Sequence, residues 1–279
     1  MSITVNTNMS ALRIQNNLST ATNNMNTAME RMSSGSKINS AKDDAAGYAV
    51  AKTLSKAVSG TKVASNNVAV GNDLLSTTEG VLEVVASNLQ RIRDLAEQAS
   101  NGTYTSADRT KIKAEIDARM SEISSLTTNA TFNGKTLFKS GATDITIQSG
   151  TTKADNVVLD KSIFGKVTTS VLSGSISAAI TAGTYGALSG LLDKLDTAIT
   201  GITTRITDIG AAQNKLEAVS DALTVQKTNL SSALSTIKDA DVAEESASYV
   251  QSQILQSASA TLLTQANSAP QIALTLIKG

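Results

Sequence analysis

The sequence predicts a mainly α protein: an elongated antiparallel bundle of long helices, a coiled-coil rod, with a small β-hairpin region and paired terminal helices. Three observations predict it. Apolar residues recur at heptad spacing through most of the chain. The one stretch where the period becomes two is short and bounded by Asn-Gly and Ser-Gly turn signals. The composition also suits helices packed side by side: 279 residues with no Trp, 3% aromatic side chains and a single proline, Pro270.

The first helix carries Ile14, Leu18, Ala21, Met25, Ala28 and Met32, alternating steps of four and three, and stops near Ser33-Ser34-Gly35. Asp43-Asp44 suits the start of a second helix. Its seam runs from Leu54 and Ala57 through Thr61, Ala64, Val68, Gly71, Leu75, Thr78, Leu82, Val85, Leu89, Ile92, Ala96 and Ala99, to a stop at Asn101-Gly102. Thr105-Ser106 caps a shorter helix with Ile112, Ile116, Met120 and Ile123 inward. Asn133-Gly134 then signals a tight turn, Asp144–Gln148 alternates as a strand, and Asn156–Leu159 returns. Residues 168–187, mostly Ser, Thr, Gly and Ala, read as an irregular, exposed, variable connection. From Leu188 to Ile237 one heptad register holds, with twelve of fifteen seam positions apolar, which random patterning rarely gives. Such a helix is roughly 75 Å long. The last helix shows Ala243, Ala247, Val250, Ile254, Ala258 and Leu262 at helical spacing.

The two ends differ from the middle. Residues 1–29 hold one charged side chain, Arg13, and residues 246–279 hold one, Lys278. A solvated helix keeps a charged face, so these ends are expected to be buried in something. The expected organisation is a terminal coiled-coil core domain, 1–42 with 240–279, and a rod domain, 43–239, with a β-hairpin region at about 131–167. The ends are expected to be poorly ordered in the monomer and to fold as copies assemble.

Composition excludes more than it assigns. The 24 basic and 24 acidic residues cancel, leaving no footprint for nucleic acid or an anionic membrane. Cys and His are absent, which removes disulfides, thiol nucleophiles, imidazole bases and most zinc sites. Asp43-Asp44, Asn72-Asp73 and Asp239/Asp241 read as helix-start, solvated or interfacial charges, since adjacent helical residues do not face each other. The small-residue run Thr181–Ala187 has no Lys and no Walker pattern. No enzyme, cofactor or metal is therefore expected. MSITVNTNMS lacks a secretory signal pattern, and no stretch is apolar enough to span a bilayer.

Four segments carry a family resemblance: ERMSSGSKINSAKDDAAGYAVA (30–51), LQRIRDLAEQASNGT (89–103), TFNGKTLF (131–138) and QILQSASATLLTQANSAPQIALTLIKG (253–279). In this order they resemble bacterial flagellin, the flagellar filament subunit, in a short form without large central outer domains. The resemblance implies a structural protein that self-assembles into a helical filament for swimming motility. It implies an extracellular location reached without a cleaved signal peptide. It also implies partners: further copies of the chain, the flagellar export apparatus, an export chaperone, and cap and hook-associated proteins. On this reading Ile14, Leu18, Met25, Met32, Val250, Ile254 and Leu262 pack the filament core. Gln90, Arg91, Leu95 and Glu115 match positions that the family offers to neighbouring subunits and to the vertebrate Toll-like flagellin receptor. Two rivals carry less of the sequence. A hook–filament junction-type protein is expected to diverge at 89–103. A coiled-coil signalling hairpin needs a hairpin tip where this chain has its β segment.

Overall fold

The structure, a computed structural model, describes residues 7–167 and 170–278, apart from the side chains of 170, 171, 185 and 269–278. The chain divides into two compact units: unit 1, Met1–Val58 with Thr228–Gly279, and unit 2, Ser59–Lys227. Six helices are described: α1 (Met9–Ser34), α2 (Ala45–Ser100), α3 (Ser106–Asn129), α4 (Ser170–Ala182), α5 (Tyr185–Lys238) and α6 (Val242–Lys278). The four short strands are β1 (Thr131–Phe132), β2 (Lys135–Thr136), β3 (Ile145–Gln148) and β4 (Asn156–Leu159). The fold is thus mainly α with small hairpins, as the periodicity predicts.

Local chemistry sets the helix ends. Asn8 caps α1 by accepting from the Ala11 N–H at 3.1 Å. Gly35 closes the helix at φ +66°, a left-handed conformation that glycine adopts without penalty. Asp44 Oδ1 accepts from the Gly47 N–H at 2.9 Å, so the expected acidic start of α2 is a cap. A Cβ at Gly47 would lie 2.3 Å from the Asp44 carboxylate, so glycine is needed for that fit. Thr105 and Asp108 form a reciprocal capping box on α3, and the Thr105 hydroxyl and N–H hold the Asp108 carboxyl below its ordinary range.

Unit 2 holds the large core. Thr61, Ala64, Val68, Leu75, Thr78, Leu82, Val85, Leu89, Ile92, Ala96 and Ala99 are all buried on α2, the seam expected from spacing. On α5 the buried residues Leu188, Leu195, Ile202, Ile209, Leu216 and Leu223 recur every seventh position. The intervening Leu192, Ile199, Ile206 and Gln213 are half-buried. The two helices run antiparallel in this unit: Arg93 pairs with Asp196 at 2.6 Å, and the Gln213 side-chain amide donates to Glu79 at 2.9 Å. Gln213 is thus a polar seam residue with its partner supplied, the arrangement that fixes register. Helix α3 adds Ile112, Ile116, Met120 and Ile123 to the same core.

The β region is two hairpins. β1 and β2 pair around a two-residue turn with Asn133 at φ +48° and Gly134 at φ +74°. β3 and β4 pair from Ile145↔Leu159 to Gln148↔Asn156. This second hairpin lies on α2 where glycines make room. A Cβ at Gly60 would meet Thr151 at 2.6 Å, one at Gly71 would meet Ile147 at 3.2 Å, and Asn67 donates to the Gln148 carbonyl between them.

One expectation is corrected. Residues 168–169 lie outside the described residues, but 170–182 form helix α4 instead of an irregular exposed connection. Leu172, Ile176, Ala179 and Ile180 are buried in the unit 2 core. Their spacing was helical all along. The surrounding Ser, Thr and Gly lower helix propensity, and tertiary burial overrides it.

Candidate functional site

Unit 1 distributes its apolar side chains in an unusual way. Helices α1 and α6 lie antiparallel along a close seam. Three links fix its register: Asn8 donates to the Ala266 carbonyl at 2.8 Å, Gln256 donates to Thr22 at 3.1 Å, and Arg31 pairs with Glu245 at 3.1 Å. The buried seam residues are small: Ala21 and Ala28 on α1, Ser252 and Ser259 on α6, each pair one heptad apart. Tyr249, Gln256 and Leu263 are half-buried beside them. Small residues let the backbones approach, but they bury little apolar area.

Most of the aliphatic side chains described on α6, Leu263 apart, lie outside this seam. Val250 is 50% exposed, Ile254 63% and Leu262 56%, with Val242 and Leu255 also exposed. On α1, Met9, Leu12, Met29 and Met32 are exposed. Ile14, Leu18 and Met25 are half-buried. The apolar register of α6 read from sequence is therefore real, but it does not face α1. The inward register, Glu245, Tyr249, Ser252, Gln256, Ser259 and Leu263, escaped sequence reading because polar residues at a and d positions give no hydrophobic signal. The repeated Ser at a seven-residue interval was the available clue.

Where the terminal helices join α2 and α5, the chain is tied across. Lys37 N–H donates to the Lys238 carbonyl at 2.6 Å, and Ala240 N–H donates to the Gly35 carbonyl at 3.0 Å. Ile38 is buried beside them, the one large aliphatic side chain buried in unit 1 among the described residues. Asp43 accepts from the N–H groups of Asn39 and Ser40 and from the Ser40 hydroxyl, which hold its carboxyl below the ordinary range.

In unit 2 the four residues expected on an outer surface separate. Gln90, Arg91 and Glu115 are exposed. Arg91 pairs with Glu115 at 3.3 Å, linking α2 to α3, and Gln90 donates to Asp94 at 3.1 Å. Arg119, half-buried beneath, donates to both Glu115 and the buried Asn88. Leu95 is 2% exposed and belongs to the core, so its expected place among surface contacts is corrected. Its spacing from Leu89, Ile92 and Ala99 places it on the inward stripe.

The described residues hold no cluster of three or more His, Cys, Asp or Glu set to bind a metal. No described helix is long and apolar enough to cross a membrane. An opening of about 650 Å³ lies over Val70 and Leu74 between the β1–β2 turn and β3, and its ionisable lining is Lys135, Lys139 and Asp144.

Comparison with known proteins identifies this arrangement. Residues 5–143 match the family model of the bacterial flagellin N-terminal helical region, and residues 192–277 match that of the bacterial flagellin C-terminal helical region. The chain is 32% identical to a flagellin of Halalkalibacterium halodurans over 98% of its own length and 99% of the relative's. It is 30% identical to the flagellar filament 30.7 kDa core protein of Treponema maltophilum, again over 98% and 99%. Among solved structures, a Vibrio parahaemolyticus chain described as a flagellar hook-associated protein superposes with a TM-score of 0.63. That match covers 71% of this chain and all of the other, and at 18% identity it is a likeness of fold alone. Flagellins are structural proteins of the bacterial flagellar filament, and the two matched regions together span most of this sequence. The chain belongs to the bacterial flagellin family.

Proposed function

We propose that this filament subunit assembles by burying the outer face of the α1–α6 pair against further copies of itself. The observation that carries the reading is the inverted allocation of side chains in unit 1. Ser and Ala fill the seam, while Val250, Ile254, Leu255 and Leu262 face outward on a segment with almost no charge. Aliphatic side chains in that position gain from association and not from the fold of one chain. Ile14, Leu18, Met25 and Met32 contribute the α1 side of the same packing.

On this reading the functional division is a terminal core domain, 1–42 with 240–279, and a rod domain, 43–239. The terminal domain gains its final order on assembly. The filament lies outside the cell, and its subunits leave through the flagellar export apparatus, attended by an export chaperone and then by cap and hook-associated proteins. The role involves no catalytic step and no cofactor. The exposed Gln90, Arg91 and Glu115 meet a neighbouring subunit in the filament and the vertebrate Toll-like receptor when the subunit is free, with Leu95 supporting them from below. Arg91→Ala is expected to weaken receptor signalling by monomer, and unchanged signalling at limiting dose would remove that assignment. The retained 89–103 segment favours a filament subunit over a junction-type protein, and the paired β strands disfavour a signalling hairpin.

Sulfate strengthens apolar burial and is expected to drive the purified chain into filaments visible by negative-stain electron microscopy. Deleting 1–40 or 245–279 is expected to abolish them. Filaments that survive either deletion would overturn the proposal.

A further inference from the structure

The chain contains two Asn-Gly pairs, and their surroundings differ. Asn133-Gly134 is locked in the β1–β2 turn, both residues at positive φ, between the pair Phe132↔Lys135 and the Leu137 N–H bond to the Ala130 carbonyl at 2.9 Å. No hydrogen bond engages the Asn133 side chain among the described residues. Asn101-Gly102 lies in the exposed loop between α2 and α3. There the Asn101 side-chain oxygen, Oδ1, accepts two hydrogen bonds from Thr103, one from its N–H and one from its hydroxyl, each at 3.1 Å.

We infer that Asn101 is a site of spontaneous covalent modification, in which the Gly102 nitrogen attacks the Asn101 side-chain carbonyl. The two Thr103 donors fold the side chain over the following peptide. They also aim at the oxygen that becomes negative in the tetrahedral intermediate, which is the arrangement of an oxyanion hole. Gly102 offers no Cβ to hinder attack by its nitrogen, and apart from its chain neighbours nothing lies within 4 Å of where one would stand. The Gly102 N–Asn101 Cγ bond forms, the Gly102 amide proton passes to solvent, and the Cγ–Nδ2 bond breaks with release of ammonia. Water then opens the ring at either carbonyl, giving aspartate or isoaspartate. The net change is water in and ammonia out, with no oxidant or reductant. The product places a carboxylate just past the C-terminus of α2, the unfavourable end of the helix dipole.

The test is peptide mapping by mass spectrometry of the full-length monomer held at mildly alkaline pH, following replacement of the side-chain amide by acid at both sites. Asn101 is expected to convert several-fold faster than Asn133. Thr103→Val is expected to slow Asn101 roughly five-fold, the rate equivalent of one net hydrogen bond, and Thr103→Ser to restore it. Circular dichroism is expected to show unchanged helix content in both variants. Equal or faster conversion of Asn133, or a Thr103→Val variant that converts at the parent rate, would overturn the assignment.

Discussion

The α1–α6 pair of unit 1 and the α2–α5 pair of unit 2 are both antiparallel, yet they place their side chains in opposite ways. In unit 2 the seam takes Leu75, Leu82, Ile92, Leu195, Ile209 and Leu216, all essentially inaccessible, with Thr61, Thr78 and Gln213 as its few polar members. In unit 1 the fully buried seam residues are Ala21, Ala28, Ser252 and Ser259, and Val250, Ile254, Leu255 and Leu262 lie outside. Burying a large aliphatic side chain contributes about 1.5–3 kcal/mol, so unit 2 draws its stability from its own sequence. Unit 1 buries mostly Ala and Ser and gains less from its own burial. One chain thus combines a self-sufficient core with an incomplete one, and the incomplete one is the surface we propose for assembly.

This contrast is broken most severely by a charge on the outer face of α6. Ile254→Asp is expected to abolish filament growth in sulfate while leaving monomer stability within about 0.5 kcal/mol, as for an exposed site. Electron microscopy and thermal melts check the two halves. Next in size is Ile92→Ala, expected to cost about 2–5 kcal/mol in the monomer through a core cavity, read by urea denaturation. Ser259→Leu probes the opposite fault. Added bulk in a close seam is expected to cost about 1–3 kcal/mol, seen as a loss of α1–α6 helix signal and slower assembly. The smallest effect concerns the α3 cap. Asp108 has its folded pKa below its unfolded one, so its contribution is fully present above the unfolded value, about 3.9, and is lost as pH falls through the folded value. Thr105→Ala is expected to lower the melting temperature by a few degrees at neutral pH, and the gap to the parent to narrow below about pH 4.

Much of unit 2 was legible because its signals are redundant. The α2 and α5 heptads, the Thr105 cap, the Asn133-Gly134 turn and the 145–159 hairpin each combine a local preference with a burial pattern that agrees. Helix α4 was hidden because its Ser, Thr and Gly argue against a helix while Leu172, Ile176 and Ile180 argue for one. The candidate surface was half legible. Periodicity found Val250, Ile254 and Leu262, but periodicity reports that a helix has an apolar face, not which neighbour covers it. The polar seam facing α1 carries no such period, so only the fold reveals it. Leu95 matches a family pattern of contact positions, whereas its spacing of three from Ile92 and four from Ala99 puts it on the buried stripe.

The chain has no cysteine, so a single thiol reports on one position without interference. The most direct test of the assembly surface is the alkylation rate of Ile254→Cys in monomer and in filament. Rapid labelling is expected in the monomer and strong protection in the filament. Labelling at the same rate in both states would contradict the proposed burial.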